Sequence, residues 1–192
     1  VGRGKSPGVG YCLAKLARIE ELRGHLESAL ALTGQSNAVL DATLPPLHTQ
    51  RLEGELRAMR LRLMQPSPVD LRAAAAELQR RIDGMDKIDT EVSADARHVH
   101  GLALSRMGQD TVALPFLEQA VRMTGRPRPI PLDALPRFTT LAKVRMRLGD
   151  QAGARDALRD GIAYADRWKM PSAHPARTPL MRALTEASAP NP

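Results

Sequence analysis

The chain has 192 residues, 43% of them hydrophobic but only 3% aromatic, and carries a formal net charge of +7. One cysteine, Cys12, excludes an intramolecular disulfide and a cysteine-based metal site. No run approaches the roughly 18 apolar residues of a spanning helix, and no signal-peptide pattern opens the sequence, so a cytoplasmic, all-α protein with a core of Leu, Ala, Val, Ile and Met is expected.

Taken in order, residues 1–10 hold four glycines and a proline and read as a flexible lead-in. Gly4-Lys5-Ser6 has the ending of a phosphate loop, but the helix such a loop needs is discouraged by Pro7-Gly8 and Val9-Gly10. A first helix is expected over 11–23, with Leu13, Leu16 and Ala17 on one face and Cys12 packed as a small apolar residue. A second starts near His25 and weakens or ends at Gly34-Gln35-Ser36-Asn37. Pro45-Pro46 opens a third, which runs to Met64, because proline suits a first helical turn. A turn at 65–68 leads to a fourth helix over 69–85. A polar connector at 86–92 precedes a fifth over 93–107 and a sixth over 109–124. The proline-rich stretch from Gly125 to Pro131 favours an extended path. Helices over 132–148 and 151–168 follow, then a short one over 178–186 that caps the end, and a frayed tail at 187–192.

The segment from Leu141 to Ala165 sets the pattern. Leu148 ends one helix, Gly149-Asp150 makes the turn, and Ala154, Ala157, Leu158, Gly161, Ile162 and Ala165 line one face of the next. Stepping back 41 residues, the face returns as Ala113, Phe116, Leu117, Ala120, Val121 and Thr124 after Gly108. Steps of 42 reach Pro66, with Leu71, Ala74, Ala75, Leu78, Gln79 and Ile82, and then Gly24, with Ala29. A period of 41–42 residues over 11–186 means stacked hairpins, each completing its core against its neighbours. On these residues, with Leu141-Ala142, Gly149, Ala154, Leu158 and Ile162 foremost, the chain resembles a tetratricopeptide repeat. The resemblance implies an all-α solenoid of about four hairpins that binds protein or peptide. The period is longer than the roughly 34 residues of the ordinary repeat, which brings it nearer to the repeat regions of large bacterial regulators. Arg97 and His100 stand where the family usually has bulky apolar residues. The chain starts without Met and reads as part of a longer protein.

No catalytic set can be assembled from spacing, and neither a cofactor nor a metal site is expected. His98 and His100, two apart on a helix, point to nearly opposite sides. The charge is carried almost wholly by Arg, which matches the coding bias of a GC-rich bacterium and says nothing of fold. One row carries a binding reading. In the tetratricopeptide family the first helix of each hairpin lines the concave surface, and the position six residues before each turn faces it. Here that position holds Arg18, Arg60, Leu102 and Lys143, with Tyr11, Glu21, Arg57, Asp95, His98, Ser105, Thr139 and Met146 nearby. The three cations are expected to be exposed, with no carboxylate holding all of them, and to suit an acidic peptide. Nucleic acid is the rival ligand, disfavoured by the shortage of aromatic residues that stack bases.

Overall fold

The structure, a computed structural model, describes residues 6–65, 70–85, 90–124 and 131–188. Its described residues form nine α-helices and one 3-10 turn, with no strand: α1 Pro7–Leu22, α2 Leu26–Thr43, α3 Thr49–Met64, α4 Leu71–Met85, α5 Thr90–Arg106, α6 Asp110–Met123, α7 Pro131–Arg147, α8 Gln151–Arg167, the turn Pro175–Arg177 and α9 Thr178–Ser188. Helices α1 and α2, α5 and α6, and α7 and α8 pack as sequential antiparallel pairs, while α3 packs chiefly on α2 and α5. Within the stack α2 packs on α3, α4 on α5 and α6 on α7, and α9 closes the last pair against α7 and α8. The fold is an all-α helical-repeat solenoid.

Three of the four turns repeat one backbone solution. Gly24, Gly108 and Gly149 have φ of 83°, 75° and 83°, the left-handed region where a side chain is strained. At each, the glycine N–H bonds a carbonyl three residues back and the next N–H bonds one five back: His25 to Glu20 at 2.9 Å, Gln109 to Leu104 at 3.0 Å, Asp150 to Arg145 at 2.9 Å. This paired arrangement satisfies the last carbonyls of the first helix and reverses the chain. The fourth expected turn, at Pro66, lies outside the described residues.

The periodic faces form the core. Leu78, Leu117 and Leu158 are fully buried, as are Ala113, Ala120, Ala154 and Ala165. Small residues let axes come close. A Cβ on Gly101 of α5 would lie 2.6 Å from the Leu117 side chain of α6.

Several boundaries differ from the sequence reading. Helix α1 begins at Pro7, not residue 11, because proline at a first helical position needs no N–H partner. Gly10 is there for contact: an added Cβ would meet Leu40 Cδ2 at 2.6 Å. The same contact carries α2 unbroken through Gly34–Asn37, with Leu40 buried and the Ser36 hydroxyl donating to the Gly10 carbonyl at 2.8 Å. Tertiary packing outweighs the roughly 1 kcal/mol that a helical glycine costs. Pro45-Pro46 lies ahead of α3, which starts at Thr49 with the His48 ring accepting from the Gln50 N–H. Helix α5 takes in residues 90–92 of the expected connector, and α9 runs two residues past 186. Cys12 is exposed, not packed. Gly4 and Lys5, and residues 125–130, lie outside the described residues.

Leu117 and Leu158 hold equivalent positions in α6 and α8. Truncating either to Ala is expected to cost ~2–5 kcal/mol in denaturant unfolding, as for other buried leucines. A midpoint unchanged from that of a surface control at both sites would mean these faces do not carry the core.

Candidate functional site

The first helices of the four hairpins, α1, α3, α5 and α7, face a common concave side. They enclose a cavity of about 310 Å³, closed at one end by Pro175 and Ala176 and by Pro179 of α9. The walls are largely apolar, with Leu22, Met64, Leu102, Leu132, Leu135 and Pro136. The row that the repeat phase selects converges here: Arg18, Arg60, Leu102 and Lys143 all line the cavity, with Glu21, His98, Ser105 and Thr139. Of the other residues singled out by the sequence, Tyr11 is half-buried away from it. Arg57 donates to the Ala14 carbonyl at 3.3 Å and ties α3 to α1. Asp95 accepts from Arg137 at 2.8 Å. Met146 packs against the core.

The row is not a ladder of free cations. Arg18 and Arg60 are buried, 9% and 8% exposed, where exposure is expected from the sequence. Glu21 explains the difference. One turn after Arg18 on α1, it points to the same side, and Arg60 reaches it from α3. Arg60 donates twice to its carboxylate, at 2.6 and 3.1 Å, and Arg18 sits 2.8 Å from it. Burial alone raises a carboxyl pKa, but Arg60 and then Arg18 outweigh it and hold Glu21 at about 2. Arg18 also donates to the Leu132 carbonyl at the start of α7, so the first hairpin reaches the fourth across the concave side. Lys143 stays exposed, and among the described residues no carboxylate pairs with it.

At the mouth, Arg147 forks onto Asp110 at 2.7 and 2.8 Å and also reaches the Ser105 hydroxyl. The Arg147 hydrogen bond holds the Asp110 carboxyl below its usual range, with Ser105 helping.

His98 forms a polar patch in the wall. The Thr140 hydroxyl donates to the Pro136 carbonyl at 2.9 Å, so its oxygen accepts from His98 Nε2–H at 3.0 Å. That assigns the proton to Nε2 and leaves Nδ1 as a buried acceptor with no partner among the described residues. Burial, with Arg60 and Arg137 nearby, pushes the imidazole well below its usual pKa, so it is neutral. His100 turns away and lies tilted against Phe116, ring centroids 4.5 Å apart at 58°, and burial lowers its pKa too. Among the described residues no three His, Cys, Asp or Glu side chains gather in a way that could hold a metal ion.

A second buried charge cluster escaped the sequence reading. Arg137 of α7 is fully buried and held by Glu91 and Asp95 of α5 and by the Thr124 hydroxyl, 3.0 Å away. Burial would lower its pKa, but the two carboxylates outweigh this and raise it. The only sequence signal is an arginine in phase with core positions, which composition alone does not flag.

Two crystal structures of a Podosopora anserina protein, described as a kinesin light chain with nearly identical TPR-like repeats, share this architecture. One, a single-substitution form, is 23% identical with a TM-score of 0.57, covering 94% of this chain and 85% of that one. The other is 22% identical with a TM-score of 0.56, covering 95% and 87%. At this identity the likeness establishes a TPR-like solenoid and nothing about ligands. No family model matches the chain, and no curated protein matches it.

Two measurements probe the site's electrostatics. Removing the Glu21 charge with Glu21→Gln takes away the carboxylate that two buried guanidinium groups share and is expected to cost ~3–5 kcal/mol. An apolar replacement of Arg18, Glu21 and Arg60 together should be far milder, since no charge is left unpaired. His98 and His100 have depressed pKa values in the folded state. The unfolded chain therefore takes up their protons first, and stability is full above about pH 6.5 and falls as pH drops below it. The slope is up to about 1.4 kcal/mol per pH unit for each proton. His98→Gln should flatten the pH dependence of the melting midpoint between 7.5 and 5. An unchanged profile would show that His98 is not held neutral.

Proposed function

We propose that this chain is a non-catalytic, peptide-binding repeat segment of a larger bacterial regulatory protein that works in the cytoplasm. The concave cavity is its binding site. One observation carries the reading: the first helices of all four hairpins converge on a single apolar cavity with the Lys143 cation at its edge. Such a surface suits an apolar peptide side chain flanked by an acidic one, with Lys143 forming the charge-assisted contact. Arg18 and Arg60 shape the wall instead of gripping the ligand, since Glu21 already neutralises part of their charge. Tetratricopeptide-like repeats generally bind proteins or peptides, and the fold supports that class. In the cavity wall the Thr140 hydroxyl beside His98 donates to the Pro136 carbonyl and accepts from the imidazole, so the ring does not activate it as a nucleophile, which supports a non-catalytic role.

Nucleic acid is the rival partner, on the strength of the +7 charge. Titrating the chain against acidic and neutral peptides and against mixed oligonucleotides, at two salt concentrations, separates the two. The proposal expects sequence-dependent peptide binding with a shallow salt slope. Lys143→Glu is expected to weaken an acidic peptide about tenfold, equivalent to about 1.4 kcal/mol. Tight binding to unrelated oligonucleotides that falls steeply with salt would overturn the assignment.

A further inference from the structure

The outer face of α1 is built like an interface, and its apolar side chains are exposed. Val9, Leu16 and Ile19 are 36%, 49% and 44% exposed, and Cys12 between them is exposed too. Spaced by three, four and three residues, the four side chains form one apolar stripe along the helix. Among the described residues no other helix carries more than one exposed large hydrophobic.

The internal repeat shows what this stripe corresponds to. Shifted by the repeat spacing, it falls on Ser93, Ala96, His100 and Ala103 in α5, and on Ala134, Arg137, Leu141 and Val144 in α7. All eight are buried, none more than 5% exposed. In α3 it falls on Arg51, Gly54, Ala58 and Leu61. There Arg51 pairs with Asp41 of α2 at 2.7 Å, and a Cβ on Gly54 would strike Asn37 of α2. In α7, Arg137 bonds Thr124 just past α6. In α5, His100 reaches the Ala75 backbone of α4 as well as Phe116 of α6, so this phase of each later first helix touches the hairpin before it. Only in α1 is that phase both apolar and open.

The far end of the stack is finished differently. Helix α9 covers α7 and α8 and turns Thr178, Arg182, Thr185 and Glu186 outward, with Met181 its one exposed large hydrophobic. A polar outer face is what a terminal repeat needs to stay soluble. It also offers no apolar match for α1 of a second copy, which disfavours head-to-tail stacking.

We infer that the Val9–Cys12–Leu16–Ile19 face of α1 is an inter-repeat interface that takes a further helical hairpin of the same polypeptide, seated as α2 seats on α3, α4 on α5 and α6 on α7. The inference rests on α1 alone and is independent of what the cavity binds.

Cys12 reports on the face directly, since alkylation of a thiol requires access. The test compares iodoacetamide labelling of Cys12, followed by peptide mass mapping, in the 192-residue chain and in the polypeptide as its gene encodes it. Cys12 should react freely in the 192-residue chain. In the encoded polypeptide it should react roughly tenfold more slowly or less, because opening must precede reaction. Leu16→Glu with Ile19→Glu should restore fast labelling there while leaving the melting midpoint of the 192-residue chain unchanged. Equal rates in the two polypeptides would overturn the inference. So would protection that appears in the 192-residue chain as its concentration rises, which would assign the face to a second copy.

Discussion

The concave side of this solenoid depends on one buried carboxylate. Glu21 sits between Arg18 and Arg60, each beside it at hydrogen-bonding distance, with little solvent to share the charge. Taking such groups out of water costs several kcal/mol per ion, and only close pairing offsets it. The pairing therefore dictates geometry. Helices α1 and α3 must hold their registers, and Arg18, so positioned, reaches the Leu132 carbonyl at the start of α7. A surface that would otherwise be an open groove becomes a bounded cavity.

The same chemistry recurs through the stack and explains the use of arginine. With so few aromatic residues, the helices have little large apolar surface with which to lock orientation. Guanidinium groups supply the missing specificity. Arg106 of α5 donates to the Leu63 carbonyl of α3, Arg145 of α7 to Gly153 of α8, and Arg155 of α8 to Ala187 of α9. Arg81 bridges to Glu55, and Arg177 to Asp166. Arginine is suited to this because its charge persists on burial and its planar fork reaches two acceptors at once. Much of the arginine content is thus structural. Coding bias accounts for the supply of arginines, not for where they point, and among the described cations that line the cavity Lys143, at its edge, has no carboxylate partner.

What the sequence made legible follows from what is local. The glycine turns and the small-residue faces of α6 and α8 are short-range patterns, and they read through to the fold. Arg18, Arg60, Leu102 and Lys143 share a repeat phase and line one cavity, because repeat period and helical period together set direction. Their burial was not legible. It depends on Glu21 being reached by a residue 39 positions away, which no local pattern encodes. Gly10 and Gly34 were misread for a related reason. Glycine marks both a flexible segment and a close helix contact, and only the position of Leu40 against Gly10 tells which. Arg137 with Glu91 and Asp95 belongs to the same class of long-range pairing.

The central claim is that the Arg18–Glu21–Arg60 cluster ties the first hairpin to the fourth and so makes the groove a cavity. A distance across the solenoid tests it. Spin labels at Cys12 on α1 and at Arg182→Cys on α9, both exposed, report on the separation of the two ends by pulsed electron resonance. The account predicts a single narrow distance distribution, which becomes longer and broader when Arg18→Met removes the link to Leu132. A distribution that Arg18→Met leaves unchanged would contradict it and would mean that core packing alone sets the curvature of the stack.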